Sequence, residues 1–414
     1  MLIDGMVPSV PDLDTGLPVV LLRTDPNPFH HGTLGAIRSL GRRGVAVHAA
    51  LAGRTEPVAA SRHLRAAHTG WPGPDEPAAL RQRLAGLAHR IGARPLLVPL
   101  DDAGAIYAAE NSAELAQWYV LPPQDPDAPR RVADKDALTA ACERRGIPVP
   151  ETHRPTNRDE LRDAVAALGL PLVAKWSRPW LLPSGSRSTW LVRTVAEARA
   201  LPVGADGPGG PLLLQRLVPS GGGDWFFHGY FDGDGRCLFG ATGRKHVSYP
   251  DDTGHTVAGE WVDRPELAEQ ACRLVGALGY RGVVDLDLRF DPGAGVYRLL
   301  DFNPRLGAQF RLFEDARGLD LVRTLHLDAS GRPVPPVAPR YGRTLLVENQ
   351  FLRRTLGSRG AVARFRDLAA TGDLAWYDRG DLGPFLAMGR HSLTRVAGRA
   401  LVRARAGAGT KGER

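Results

Sequence analysis

Cysteine is nearly absent: Cys142, Cys237 and Cys272 are three in 414 residues, and they stand far apart. An odd, scattered set makes neither a disulfide framework nor a zinc pattern, so a reducing cytoplasm is the expected setting. Long apolar runs are missing too, and none approaches the length that spans a bilayer. The opening residues, MLIDGMVPSVPDLD, are acidic and proline-rich, unlike a secretory leader. There is no internal repeat. Lysine is scarcest of the charged residues: Lys135, Lys175, Lys245 and Lys411 are four among 53 basic residues. Arginine serves wherever a positive charge merely solubilises. A retained lysine therefore marks a place suited to a compact point charge, such as phosphate offers, with chance retention the bland alternative.

What is there is an ordinary globular balance, 43% apolar and 24% charged, in a chain long enough for two to three domains. The net charge of +8 is unevenly placed. Residues 390–414 hold seven basic residues against one acidic, a net +6, which leaves +2 for the rest. A nearly balanced body gives no argument for nucleic acid. In the tail Leu393, Val396, Ala400 and Leu401 form an apolar stripe, with Arg395, Arg399 and Arg403 on another face. A helix packed on its own body is the first reading of that stripe, and a membrane surface or partner the second.

Strands and helices alternate at the start. Strands are expected over 18–23, 45–49 and 95–99, with helices over 33–43, 77–91 and 103–118, which implies a parallel sheet. Pro122 to Arg130 (PPQDPDAPR) reads as a linker. Asp134 caps a helix, and Asn157 with Glu160 carries the capping signature of another. A strand over 172–175 leads into WSRPWLLPSGSRSTWLV, where a loop could fold its amides over phosphate or simply form a surface hairpin. A buried strand over 212–217, a hairpin over 226–241 and a helix over 265–278 follow. Thr242 to His246 is expected where the chain leaves a strand. The divisions are 1–128, 129–216, 217–331 and 332–414. His30 and His31 lie in the loop after the first strand, where open sheets bind ligands, with a surface loop as the plainer reading.

The stretch with most chemistry is GVVDLDLRFDPGAGVYRLLDFNPR, Gly282 to Arg305. Two alternating runs, 283–290 and 296–302, flank Asp291-Pro292-Gly293-Ala294-Gly295, a turn in which proline presets φ and glycine accepts positive φ. Period two sets Asp285, Asp287 and Arg289 on one face of the resulting hairpin. On the return strand Leu299 and Asp301 are expected to share a face, continued by Asn303. Two carboxylates and an amide would converge with no lysine beside them, a set that suits a hard cation such as Mg²⁺. A solvated strand face is the alternative.

This order of elements resembles the ATP-grasp superfamily over about residues 18–325, most specifically in DLDLRF and LLDFNPR. The resemblance implies a mixed α/β and α+β fold: a Rossmann-like N-domain, a small lid subdomain, a larger C-terminal subdomain and here a C-terminal extension. It implies ATP with two Mg²⁺ ions, or Mn²⁺ in their place, on Asp287, Asp301 and Asn303. Lys135 and Lys175 resemble the nucleotide lysines, Gln215 and Val218 the adenine contacts, and Asp224 the acid on the ribose. Lys245 and Arg244 resemble cations of the terminal phosphate, and Arg305 a residue that holds an acyl phosphate. Gln309 and Arg311 would face the carboxylate substrate, with a helix surface as the equal alternative.

The blocks GTLGAIRSLGRRGVAVH, LLVPLDDAGAIYAAENSAEL, GRKHVSYPDDTGH and WYDRGDLGPFL are similar to carboxylate–amine ligases related to D-aspartate ligase. Gln215 departs from a common glutamate. The loop after Lys175 lacks the glycines of the biotin-dependent carboxylase branch. The expected reaction activates a carboxylate as an acyl phosphate and joins it to an amine, an amino acid or short peptide being favoured. A kinase on the same scaffold and a non-catalytic ATP-binding module are the competing readings.

Overall fold

In the computed structural model, which describes residues 12–204, 207–249, 254–355, 363, 365–366 and 372–394, the first strand is Val19–Leu22 (β1). It is apolar throughout because both its faces are covered. Val19 and Leu21 share a core with Leu34, Ile37 and Leu40 of the helix His31–Gly41. Val20 and Leu22 share another with Leu80, Leu84 and Leu87 of the helix Pro77–Ile91. Val47–Ala50 (β2), Ala66–His68 (β3) and Leu96–Pro99 (β4) complete a parallel sheet of order β3-β2-β1-β4. The strand order reverses beside β1, so the carboxyl ends of β1 and β4 border a crevice. The expected helix over 103–118 is broken at Asn111 into Asp102–Glu110 and Ser112–Leu115. The expected linker ends early as well, in a helix Ala128–Ala133 whose first turn holds Pro129. Proline is tolerated there because that amide has no intrahelical partner.

Thr152–His153 (β5), Leu172–Trp176 (β6), Thr189–Val192 (β7) and Leu212–Arg216 (β8) form a small antiparallel sheet of order β5-β8-β6-β7. Leu172, Ala174, Trp176, Leu212 and Leu214 pack with Leu161, Ala164 and Leu168 of the helix Arg158–Leu168. Asn157 Oδ1 caps that helix, accepting from the amides of Asp159 and Glu160, and Glu160 accepts in return from Thr156 N. Alternation then leaves Val173, Lys175 and Gln215 on the sheet's other face.

The third sheet has seven strands in the order β13-β12-β9-β10-β11-β14-β15. They are Asp224–Phe231 (β9), Cys237–Tyr249 (β10), His255–Trp261 (β11), Gly282–Asp291 (β12), Val296–Asn303 (β13), Thr344–Leu346 (β14) and Asp373–Leu374 (β15). Thr242 to His246 therefore lie inside β10, not beyond its end. In β9, Trp225, Phe227 and Phe231 face the helix Pro265–Ala277, while Phe226 and Tyr230 face the core shared with the parallel sheet.

The expected hairpin is present, with Asp287 opposite Asp301 and Asp285 opposite Asn303. A bulge at Leu300, just beyond the Asp287–Asp301 pair, makes Leu299 the partner of Leu288. Leu299 is accordingly buried on the apolar face, opposite to Asp301, which corrects the shared face expected from strict alternation.

Beyond Arg305 come a 3-10 turn, Phe310–Phe313, and the helix Leu321–Ala329. Residues 375–386 return to the parallel-sheet unit, where buried Arg38 holds them through the Asp381 carboxylate and the carbonyls of Ala375, Trp376 and Asp381. The N-terminal residues 1–11, Pro250 to Thr253 and the basic tail from Arg395 onward, including Val396, Arg399, Ala400, Leu401 and Arg403, lie outside the described residues. Among the described residues no helix is long and apolar enough to cross a membrane.

Candidate active site

A cleft opens between the small sheet and the seven-stranded sheet. Lys135, Lys175, Gln215, Val218, Asp224, Lys245, Asp287 and Asp301 all line it. A second cavity lies between β4 and the start of β12 and is walled mainly by aliphatic groups, with Arg305 also in its lining. The first holds the convergent ionisable groups, so the chemistry belongs there.

The expectation that no lysine stands beside the acid pair is overturned. Lys135 Nζ pairs with Asp301, and Lys245 Nζ lies 2.6 Å from Asp287. Lys175 Nζ donates to the Leu300 carbonyl at 2.8 Å, an acceptor at the hairpin bulge. The lysines come from a helix, β6 and β10, which no local spacing could bring together. Their fields act on one another. Burial would raise the pKa of Asp301, but Lys135 and Lys175 outweigh it and hold the carboxyl below its usual range. Burial would lower Lys245, yet Asp287 carries it above the ordinary value. Lys175 is pushed down to about 8, by burial first and then by Lys135.

Local structure fixes these cations. Lys135 begins its helix, and its amide donates to Ser177 O at 2.9 Å. Asp134 caps the helix and also accepts from Arg178 Nε at 2.7 Å, tying the lysine to the segment after β6.

At the other end of the cleft Gln215 Nε2 donates to Thr152 Oγ1 at 3.0 Å. Asp224 is gripped by Arg289 through two contacts of 2.5 and 3.0 Å, and Arg289 also donates to the Val218 carbonyl at 3.1 Å. Period two puts Arg289 on the acidic face, and the structure gives it this role. A single arginine on a carboxylate face was the available signal.

Asn303 is buried beside the acid pair, its amide nitrogen donating to the Asp285 carbonyl at 3.2 Å. Arg305 Nη1 donates to Asp285 Oδ2 at 2.9 Å, and its Nε lies 3.4 Å from Asp102 Oδ1. Asp285, despite burial, is held well below the usual carboxylate range by His228, Arg305 and Lys245. Sequence reasoning missed Asp102, although its place directly after a parallel strand pointed to it. His228 had no such signal, being one polar residue in a buried strand.

Four expectations need correction or relocation. Arg244 points away from the cleft, with its guanidinium 5.6 Å from the Trp225 ring centroid. Period two puts it on the face opposite Lys245. His30 and His31 are not surface-loop residues: they enter the helix that follows β1, where His30 Nδ1 accepts from Thr33 N at 3.1 Å. Burial, then Arg23, keeps His30 well below its ordinary pKa, and burial, then Arg311, pushes His31 down to about 3. Both are neutral at pH 7. Gln309 Nε2 donates to Thr256 O at 3.3 Å. Arg311 packs along the first helix at Gly35, where a Cβ would lie 2.7 Å from its Cδ. Neither residue is on an open helix surface, and neither lines the cleft.

The assembled groups make a charged cleft: three ammonium groups and a paired set of carboxylates between the small sheet and the seven-stranded sheet. Solved structures share this architecture. N5-carboxyaminoimidazole synthetase from Staphylococcus aureus matches over 85% of this chain and 89% of its own, with 11% identity and a TM-score of 0.60. An ADP complex of N5-carboxyaminoimidazole ribonucleotide synthetase matches over 80% of both chains, with 15% identity and a TM-score of 0.57. The biotin carboxylase domain of a 2-oxoglutarate carboxylase from Hydrogenobacter thermophilus, in complex with MgADP, ADP and bicarbonate, matches over 79% and 73%, with 17% identity and a TM-score of 0.56. No protein-family model and no curated protein matches the chain in sequence. The chain has the ATP-grasp fold.

Proposed function

We propose that this protein is an ATP-dependent ligase that activates a carboxylate as an acyl phosphate and joins it to an amine, releasing ADP and phosphate. One observation carries the reading: three of the chain's four lysines meet the Asp287–Asp301 pair in a single cleft. Solubility would not ask for that arrangement, and a triphosphate would. Gln215 and Val218 border the adenine end, with Asp224 toward the ribose. Lys135 and Lys175 take the inner phosphates and Lys245 the terminal one, while the small sheet serves as a lid.

Asp287, Asp301 and Asn303 offer two carboxylates and an amide oxygen. Among the described residues no three His, Cys, Asp or Glu side chains converge as a closed metal cage. That donor set fits Mg²⁺, which completes its shell with phosphate and water oxygens. Bound there, Mg²⁺ would supply charge neutralisation at the phosphates. The substrate carboxylate attacks the γ-phosphorus in line while the lysines offset the charge growing on departing ADP. Arg305 then holds the acyl phosphate as the amine attacks its carbonyl carbon and phosphate leaves. The similarity of four sequence blocks to D-aspartate ligase relatives favours an amino acid or short peptide as substrate. The free thiols of Cys142, Cys237 and Cys272 suit a cytoplasmic enzyme.

ADP release screened over a panel of carboxylates, with hydroxylamine as acceptor, tests the reading. Acid-dependent ADP with a matching hydroxamate is expected. A stable phosphorylated product would replace the ligase with a kinase, and no turnover with any acid would overturn both. A pH profile adds a second check. Lys175, with a pKa of about 8 in the free protein, is cationic below that value and loses its charge as pH rises through it. The kcat/KM for ATP should fall about tenfold per pH unit above that value. A flat profile to pH 10 would remove Lys175 from phosphate binding.

A further inference from the structure

Asp101 and Asp102 follow β4 side by side but are used differently. Asp101 spends its carboxylate on local structure, accepting from Gly104 N at 2.8 Å and from Asp25 N at 2.7 Å. Asp102 Oδ1 is buried and receives no hydrogen bond. Burial pushes the Asp102 carboxyl up to about 6 despite the arginine beside it. A desolvated carboxylate oxygen without a donor is unfavourable, so its placement calls for a reason. The cation beside it is Arg305, whose Nε lies 3.4 Å away.

Arg305 is thereby held from two parts of the fold. Asp285 of β12 takes Nη1 at 2.9 Å, and Asp102 of the parallel-sheet unit faces Nε. A guanidinium fixed only at one corner can still swing about that contact, whereas a second charge facing Nε at 3.4 Å restricts the swing. The cradle is tight. His228 Nε2 stands 3.1 Å from Asp285 without hydrogen-bond geometry. A Cβ at Gly307 would lie 2.4 Å from His228 Cε1 and 2.7 Å from Asp285 Oδ2. Glycine lets the loop carrying Arg305 press onto this pair.

We propose that Asp102 is a positioning residue: through Arg305 Nε it aims the guanidinium at the phosphate formed and released in the reaction, coupling the parallel-sheet unit to the reaction centre. This rests on the ligase reading above. Asp102→Asn keeps shape and removes charge. It should lower kcat by about 10- to 100-fold, the scale of a small misplacement of a reacting group, with KM for ATP unchanged. Asp102→Glu should restore part of the loss. In an Arg305→Lys background, Asp102→Asn should add less than about twofold, because residues acting through one contact are not additive.

A readout free of turnover is calorimetric titration of inorganic phosphate into the protein loaded with MgADP. Asp102→Asn should weaken phosphate about tenfold. A folded Asp102→Asn variant with unchanged kcat and phosphate affinity would overturn the inference, as would independent, multiplicative effects or a wild-type protein that binds no phosphate. If wild type forms no ADP with any acid yet binds phosphate more tightly than Asp102→Asn, the ligase reading falls and the positioning of Arg305 stands.

Discussion

Lys175→Met is expected to lower acid-dependent ADP formation by about a hundred- to a thousandfold, the usual cost of removing one donor from developing charge in a water-poor site. Methionine approximates the lysine stem, so the buried wall of β6 keeps its packing. What is lost is the ammonium and its hydrogen bond to Leu300 O. The unsatisfied carbonyl should cost about 1–3 kcal/mol in stability, well short of unfolding a chain of this size. Steady-state kinetics with circular dichroism would separate the two effects. Activity within about fivefold of wild type would end the assignment of Lys175 to the phosphates.

The largest effect on stability should come from a place with no part in the chemistry. Arg38 and Asp381 form an ion pair at 2.9 Å with side chains 1% and 2% exposed. Arg38 also donates to the carbonyls of Ala375, Trp376 and Asp381. Asp381 in addition accepts from Ser61 Oγ at 2.7 Å and Arg62 N at 2.9 Å. Removing one member leaves the other charge buried and uncompensated, so Asp381→Ala should cost about 3–5 kcal/mol. Arg38→Met combined with Asp381→Leu should cost less than the sum of the two single changes. Urea unfolding of wild type, the three single variants and the double variant would measure this, and an Asp381→Ala cost under about 1 kcal/mol would refute it.

The pH dependence has a definite sign. Burial alone would raise the Asp381 carboxyl, but hydrogen bonds from Ser61 and Arg38 hold it below its ordinary value. Its contribution is therefore complete above the unfolded carboxylate pKa. It is lost as pH falls through the lower folded value.

Local pattern was enough for the order of elements, the parallel start, the β12–β13 hairpin and the acids facing each other across it. Those features follow from interactions within a few residues: alternation along a strand, a proline–glycine turn, an oxygen capping a helix. The same reasoning misplaced Leu299, because a one-residue bulge inverts a face and leaves no mark in composition. The family resemblance pairs Arg244 with Lys245, whereas both lie inside β10, where adjacent residues point apart. Sequence reasoning found the three lysines by their scarcity but left the acids without a cation, since Lys135, Lys175 and Lys245 are carried by three elements. Asp102 and His228 gained meaning only beside Arg305. Arg38 gained it only once residues 375–381 had folded back over the first helix. Identity and alternation of side chains are local properties, and the chain states them directly. Which charges end up facing each other depends on contacts between residues far apart in the chain, and so on the packing of whole sheets that no short stretch encodes.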